Sequence, residues 1–236
     1  MITIKDSSFK DKAEYIKHLS NSKKLVSKTD LIYELCKDKD VLDIGCIDHN
    51  YKTALDLGDN WLHKQLKKAS KSIIGLDILK EDSIFLNKMG YNIIQGNAEA
   101  FNLNRKFDVI VAGDLIEHLS NIGSFLQCVA NHMHSDSVFI ITSPNPFNIE
   151  QAILAIYKND ISVNDEHTCW LDPRVIYETI SRTNLKITAF YWVDTRFKIL
   201  LDRNILFKYI LNFISEIIMN IRPICRRDYA ILLKKK

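Results

Sequence analysis

Short apolar runs recur along the chain between stretches of helical periodicity. The runs are VLDI at the head of VLDIGCIDHN (41–50), SIIGLD (72–77), YNIIQG (91–96), FDVIVAGD (107–114), SVFIITSP (137–144), KITAFYWV (186–193) and DYAILL (228–233). They predict seven strands. The first five alternate with helical stretches and are apolar on both faces, the pattern of a parallel sheet covered by helices on each side. Within 10–39, FKDKAEYIKHL and TDLIYELCKD place apolar residues at helical spacing, with Thr29 and Asp30 as the cap of the second segment, so two helices precede the first strand. Between the last two strands, 203–221 reads as an amphipathic helix with Leu206, Ile210, Phe213, Ile214, Ile217 and Ile221 on one stripe. We expect that stripe to pack at least partly on the sheet; a homodimer surface and a membrane interface are the other uses open to it.

Composition narrows the class. With 236 residues, 47% apolar and 26% charged, and only seven glycines and four prolines, the chain is expected to fold throughout as a single α/β domain over 1–236. A net charge of +3 and the absence of a basic, aromatic-studded stripe argue against a nucleic-acid partner. Arg222, Arg226, Arg227 and Lys234 to Lys236 nevertheless make the C-terminus locally basic, which keeps peripheral membrane contact through 203–227 open. Five scattered cysteines without a C-x-x-C pair fit reduced thiols and no thiolate metal site. MITIKDSSFK has no signal-peptide pattern, and Lys208 and Glu216 interrupt the most apolar region. A cytoplasmic protein is expected, peripheral at the inner face of the membrane if the basic region docks there.

Chemistry concentrates where the strands end. Asp43-Ile44-Gly45-Cys46 follows the first, Asp77 closes the second, Gly96-Asn97-Ala98-Glu99 follows the third, and Gly113-Asp114 with Glu117-His118 follows the fourth. Ligands of open parallel sheets bind at these carboxyl ends. Asp77 is placed to accept both hydroxyls of a ribose, and the Asn97 side-chain oxygen to accept from an adenine amino group. A nicotinamide dinucleotide needs a glycine-rich approach of its pyrophosphate to a helix, whereas this first turn offers Gly45 and then bulk, with Asp48 repelling phosphate. S-adenosylmethionine brings a cationic sulfonium and ammonium instead, which acidic surroundings suit.

These motifs, D-x-G-C, Asp77, GNAE and FDVIVAGDLIEHL, resemble the class I S-adenosylmethionine-dependent methyltransferases over about 38–145. NWLHK, AGDLIEHLSN, TSPNPF and EHTCWLDP are similar to a bacterial and archaeal group acting on small molecules. The resemblance implies a Rossmann-like, mostly parallel seven-stranded sheet of order 3-2-1-4-5-7-6. It implies S-adenosylmethionine as cofactor and S-adenosylhomocysteine as product, with Asp43 and Gly45 at the methionine end, Asp77 at the ribose, Asn97 and Ala98 at the adenine, and Asp114 as floor near the sulfonium. Cys46 and Ile78, adjacent in sequence, join the cofactor set. The implied acceptor is a small molecule, with an oxygen of a sugar or lipid-linked glycan intermediate as the first reading. His118, His167 and His63, in that order, are candidate bases, each open to a packing role. Asp114-x-x-Glu117-His118 with His167 also resembles the divalent-cation set of some quinone-precursor and RNA-end O-methyltransferases, making a quinone-type enzyme the alternative; the cation is the less favoured reading and no metal ligand is assigned. A non-catalytic S-adenosylmethionine-binding partner protein is the rival from another class.

Overall fold

Val41 to Ile44 form a strand because both of its faces are covered: Leu42 and Ile44 point into one apolar layer and Val41 into the other. The computed structural model describes residues 9–22, 25–195 and 205–236, with side chains from 209 onward in the last segment. In chain order the elements are α1 (Lys12–Asn21), β1 (Leu25–Val26), α2 (Lys28–Cys36), β2 (Asp40–Ile44), α3 (Tyr51–Asp56), α4 (Leu62–Ala69), β3 (Ser72–Asp77), α5 (Lys80–Lys88) and β4 (Ile93–Gln95). They continue with β5 (Phe107–Gly113), α6 (Ile122–Asn131), β6 (Met133–Pro144), α7 (Ile149–Lys158), α8 (Pro173–Ser181), β7 (Leu185–Val193), α9 (Ile205–Ile221) and β8 (Asp228–Lys235).

One sheet of order β1-β7-β8-β6-β5-β2-β3-β4 holds every described strand. All seven expected strands form, in the expected order, and β8 lies antiparallel between β6 and β7 while the other pairings are parallel. The addition is β1, two residues that pair with Trp192 and Val193 at the edge of β7. Two residues are too few for an alternating pattern to register. Yet β1 has a clear job. Helix α1 packs Tyr15 and Leu19 into one layer and α2 packs Leu31, Ile32 and Cys36 into the other, so the chain must pass round the sheet's edge between them. Because β1 is parallel to β7, its exit delivers Ser27 and Lys28 to the carboxyl end of the sheet. Ser27, not Thr29 or Asp30, caps α2, accepting from the Asp30 N–H at 3.3 Å.

The helix expected at 203–221 begins, within the described residues, at Ile205. Its orientation corrects the expected packing on the sheet: Ser215 and Met219 are buried, while Ile210, Phe213, Ile214, Ile217 and Ile221 face outward. Leu211 and Met219 pack instead on Ile149, Ile153 and Leu154 of α7.

The stretch between the prolines of SPNPF turns out to be a clamp. Buried Asn145 donates through Nδ2 to the Ile224 and Arg226 carbonyls at 2.8 Å each, accepts from Phe147 N–H at 3.2 Å, and donates its own N–H to Arg227 O at 2.7 Å. It ties the end of β6 to the connection from α9 into β8. Asn145→Ala leaves two buried carbonyls without their donor, so we expect a loss of about 3 kcal/mol in unfolding free energy, measured as a lower urea midpoint at unchanged slope.

Candidate active site

A cleft of about 1,180 Å³ opens at the carboxyl ends of β2, β3, β4 and β5, and among its lining residues are Gly45, Cys46, Asp77, Ile78, Asn97, Ala98, Asp114, His118 and His167. With Asp43 and His63 also in its lining, the sheet gathers every sequence-derived candidate into one place. Strand β2 is the pivot, since β3 lies on one side of it and β5 on the other, and the loops after these strands part at that point.

At the end of β2, Gly45 has φ of +71°, and a Cβ there would stand 2.9 Å from the Leu115 side chain. Glycine is thus demanded twice, by the backbone and by the neighbouring turn. Cys46 is buried and its sulfur fills the space that Gly75 leaves by lacking a side chain; an ideal Cβ on Gly75 would lie 2.5 Å from it. Burial, with Asp43 and Asp77 adding to it, pushes this thiol well up, so Cys46 meets the cleft as backbone and not as a thiolate.

Asp77 binds the first loop to β3. Its Oδ2 accepts from Ile47 N–H at 2.8 Å and its Oδ1 from Leu79 N–H at 3.1 Å. Burial raises its carboxyl above the ordinary value against the pull of these N–H donors. Each oxygen keeps a lone pair for a further donor. Beside it Ile78 is largely exposed, an apolar surface at the cleft wall. Asn97 Oδ1 accepts from Glu99 N–H at 2.8 Å, an Asx turn, which leaves the amide nitrogen and one lone pair available beside Ala98.

His63 behaves differently from the other candidate bases. It is 0% exposed, with Nδ1 2.8 Å from Asp43 Oδ2 and its ring beside Trp61 and Tyr91. Its Nε2 has no hydrogen-bond partner among the described residues. That geometry ties the ring to the buried Asp43 carboxyl group at the wall of the cleft.

The other half of the cleft holds Asp114, Glu117, His118 and His167. Asp114 has φ of +49°; its N–H donates to Thr142 O and Oγ1, and its Oδ1 accepts from Thr142 Oγ1 at 2.7 Å. Its Oδ2 pairs with Lys28 Nζ, delivered from the start of α2. Burial presses the Lys28 ammonium down, but Asp114, with Asp228 and Glu117 farther off, outweighs it, and the net shift is upward. Nothing in SKTDL signalled this contact; it depends on β1 turning the chain round the edge. Thr195, Arg227 and Asp228 complete this wall, also unmarked by any motif.

Glu117 is almost wholly buried and accepts from Ser143 Oγ at 3.1 Å. Burial and the nearby Asp114 push its carboxyl up to about 7. His118 and His167 meet edge to face with ring centroids 4.7 Å apart, and His167 Nδ1 is buried without a partner among the described residues. Burial and His118 lower the His167 pKa, keeping the ring neutral. One ligand atom each from Glu117, His118 and His167 lies within 4.8 Å of the others. The loop bearing His167 is held by Thr168 and Cys169, whose N–H groups donate to Glu117 O. At the cleft mouth His49 and Glu166 approach to 3.6 Å, joining that loop to the one after β2.

A family model described as a methyltransferase domain matches residues 14–189. The chain belongs to the S-adenosylmethionine-dependent methyltransferases. Among curated relatives, a ubiquinone biosynthesis O-methyltransferase of Rickettsia typhi is 22% identical over 178 residues, 69% of this chain and 66% of the relative. The chain spans from 33% to 69% of the length of the curated relatives it matches. Solved structures share the class I, Rossmann-like fold. A S-adenosylmethionine-dependent methyltransferase from Clostridium acetobutylicum superposes with a TM-score of 0.54 at 15% identity, over 88% of this chain and 90% of that one. Magnesium protoporphyrin IX methyltransferase from Synechocystis, with bound S-adenosylhomocysteine, gives 0.57 at 10% identity, over 95% and 94%.

The raised Glu117 carboxyl has a testable consequence for this methyltransferase. Between about pH 4.3, where an unfolded glutamate ionises, and about pH 7, the folded protein keeps a proton that the unfolded chain has lost, so stability falls as pH rises through that window. In chelator-treated protein, wild type should lose about 3 kcal/mol across it relative to Glu117→Gln, which lacks the titration. Parallel urea-stability curves for the two proteins would contradict the assignment.

Proposed function

We propose that this methyltransferase binds S-adenosylmethionine along the ends of β2, β3 and β4 and methylates an oxygen of a small-molecule acceptor in the half of the cleft lined by Asp114, Glu117, His118 and His167. The observation that carries the reading is Asp77, a carboxylate fixed by two backbone N–H donors at the end of β3 with lone pairs left for a ribose. Gly45 lets the backbone approach the methionine end, Ile78 offers an apolar face to the adenine, and Asn97 with Ala98 lines its edge. Asp114 lies toward the sulfonium, held in place by Thr142 and Lys28. The bound cofactor supplies a carbon already activated for in-line displacement, so the protein's work is to orient the acceptor oxygen and receive its proton. His167, held neutral and with an unengaged buried nitrogen, is suited to receive it, and His118 beside it to share it.

A second reading has its own observation, the Glu117, His118 and His167 cluster. A mixed carboxylate and imidazole set, converging from Glu117, His118 and His167 with one nitrogen left unengaged, fits a divalent metal. Such a cation would lower the pKa of an acceptor hydroxyl, and the two histidines would be ligands in place of bases. The names of the curated relatives favour this quinone-type alternative over the sugar or glycan acceptor, which no structural feature singles out.

For the cofactor, calorimetry should show S-adenosylmethionine binding to wild type, at least tenfold weaker binding to Asp77→Ala, equivalent to about 1.4 kcal/mol, and none of NAD. Equal affinity in the two proteins would remove Asp77 from the ribose. For the metal, Mn²⁺ titrated into chelator-stripped protein should give a bound electron-resonance signal that is lost in His167→Ala; only free Mn²⁺ in wild type would leave the histidines as bases.

A further inference from the structure

The most anomalous surface of the molecule lies on α9. Tyr209 is 70% exposed, Phe213 68% and Ile221 61%, and Ile210, Ile214 and Ile217 complete the stripe at spacings of three and four residues. The helix has already satisfied its inward face on α7 through Leu211 and Met219, so the outward one is surplus to its packing. Helix α7 adds an 88% exposed Ile156 to the same pair of helices. Isolated exposed apolar residues need no explanation; a stripe running the length of a helix does.

We propose that the outward face of α9 docks on an anionic lipid bilayer and sets the methyltransferase down with its cleft beside the membrane. Charge selects this occupant over a second copy of the chain. Between positions 196 and 227 the sequence carries seven Lys or Arg and two Asp or Glu; Arg226 is buried and Arg227 lines the cleft near Glu150, which leaves five bases against two acids, while the remainder of the chain has more acids than bases. A two-fold dimer through α9 would bring two such cationic segments together, whereas an anionic headgroup layer is complementary to them. Arg222, exposed at the end of the stripe, is placed to reach headgroups while the isoleucines enter the acyl boundary. No helix among the described residues is long and apolar enough to cross a membrane, so the contact is interfacial.

The position of the stripe gives the contact a purpose. Helix α9 lies between the end of β7 and the start of β8, and the residues flanking it, Thr195, Arg227 and Asp228, line the cleft, as does Glu150 at the start of α7. A docked α9 therefore places the acceptor half of the cleft near the lipid surface, where an apolar acceptor with a polar hydroxylated head would reside. The docking itself does not depend on methyl transfer.

The test is co-sedimentation of the full chain with vesicles of mixed phosphatidylcholine and phosphatidylglycerol, and with phosphatidylcholine alone. Wild type is expected to sediment with the anionic vesicles, more weakly with the neutral ones, and less as salt is raised. The double variant Phe213→Glu, Ile217→Glu should bind the anionic vesicles at least tenfold less while keeping the wild-type thermal midpoint and S-adenosylmethionine affinity. Should that variant not fold, Arg222→Glu should weaken anionic binding without altering binding to neutral vesicles. Wild type wholly in the supernatant, or binding unchanged in the variants, would overturn the proposal. So would light scattering that shows a wild-type dimer converted to monomer by the double variant, which would assign α9 to a second copy.

Discussion

The hydrogen bonds from Ile47 and Leu79 N–H to the Asp77 carboxylate hold the site together. They join the loop after β2 to the loop after β3, which would otherwise diverge. Loops at the ends of neighbouring parallel strands have no ladder to hold them, and their N–H groups must find an acceptor elsewhere. Asp77 supplies it, and Trp61 adds a second tie by donating through Nε1 to Cys46 O at 2.8 Å. With those ties made, the first loop needs no glycine repeat to stay near the sheet; it is fixed by side chains. One glycine, Gly45, remains where the backbone and Leu115 leave no room for anything larger.

The same arrangement decides the charge of the cleft. Asp43, Asp77, Asp114 and Glu117 all line it. Their mutual repulsion and burial are visible in the raised carboxyls of Asp77 and Glu117, and the folded protein offsets them with Lys28 and a set of N–H and hydroxyl donors. A pyrophosphate would add two negative charges to that collection, and Asp48, which also lines the cleft, would oppose it at the turn. A sulfonium with an α-ammonium adds positive charge and relieves it. The acidic lining as a whole, and not one residue, thus makes the cleft electrostatically better suited to a cationic cofactor than to a pyrophosphate.

The sequence showed the sheet clearly because its strands are buried on both faces and stand out as apolar runs. The strand-end residues were legible for the same reason: Asp43, Asp77, Asn97 and Asp114 end runs whose limits are easy to see. What lay outside view was whatever depends on tertiary crossing. The strand at Leu25–Val26 is too short to carry a period, and with it went the arrival of Lys28 at Asp114. Thr195, Arg227 and Asp228 come to the cleft from the last hairpin of the sheet, and no local pattern connects them to residues near 114. His63 illustrates the opposite case. A histidine in a polar loop motif looks like chemistry, but only the fold shows that its ring is enclosed by β3, Trp61 and Tyr91 and committed to Asp43.

Helix α9 shows why periodicity identifies an apolar face but not its destination. A stripe at i, i+3, i+4 and i+7 says that one side of the helix is to be removed from water, and a sheet is the usual place for it. Here the sheet was already closed. The layer holding α1, α6 and α8 and the layer holding α2 and α4 cover its two faces, and β8 fills the gap between β6 and β7. A helix in the connection from β7 to β8 can reach only the carboxyl edge, where α7 offers one narrow contact. The buried side of α9 is accordingly the one with Ser215 and Met219, small or adaptable enough to lie close against a neighbour, while the bulkier Phe213 and the isoleucines stand outward. A helix held at that edge can meet its neighbour through a narrow side and leave its broader apolar face outward, which is why the period alone could not say where that face would lie.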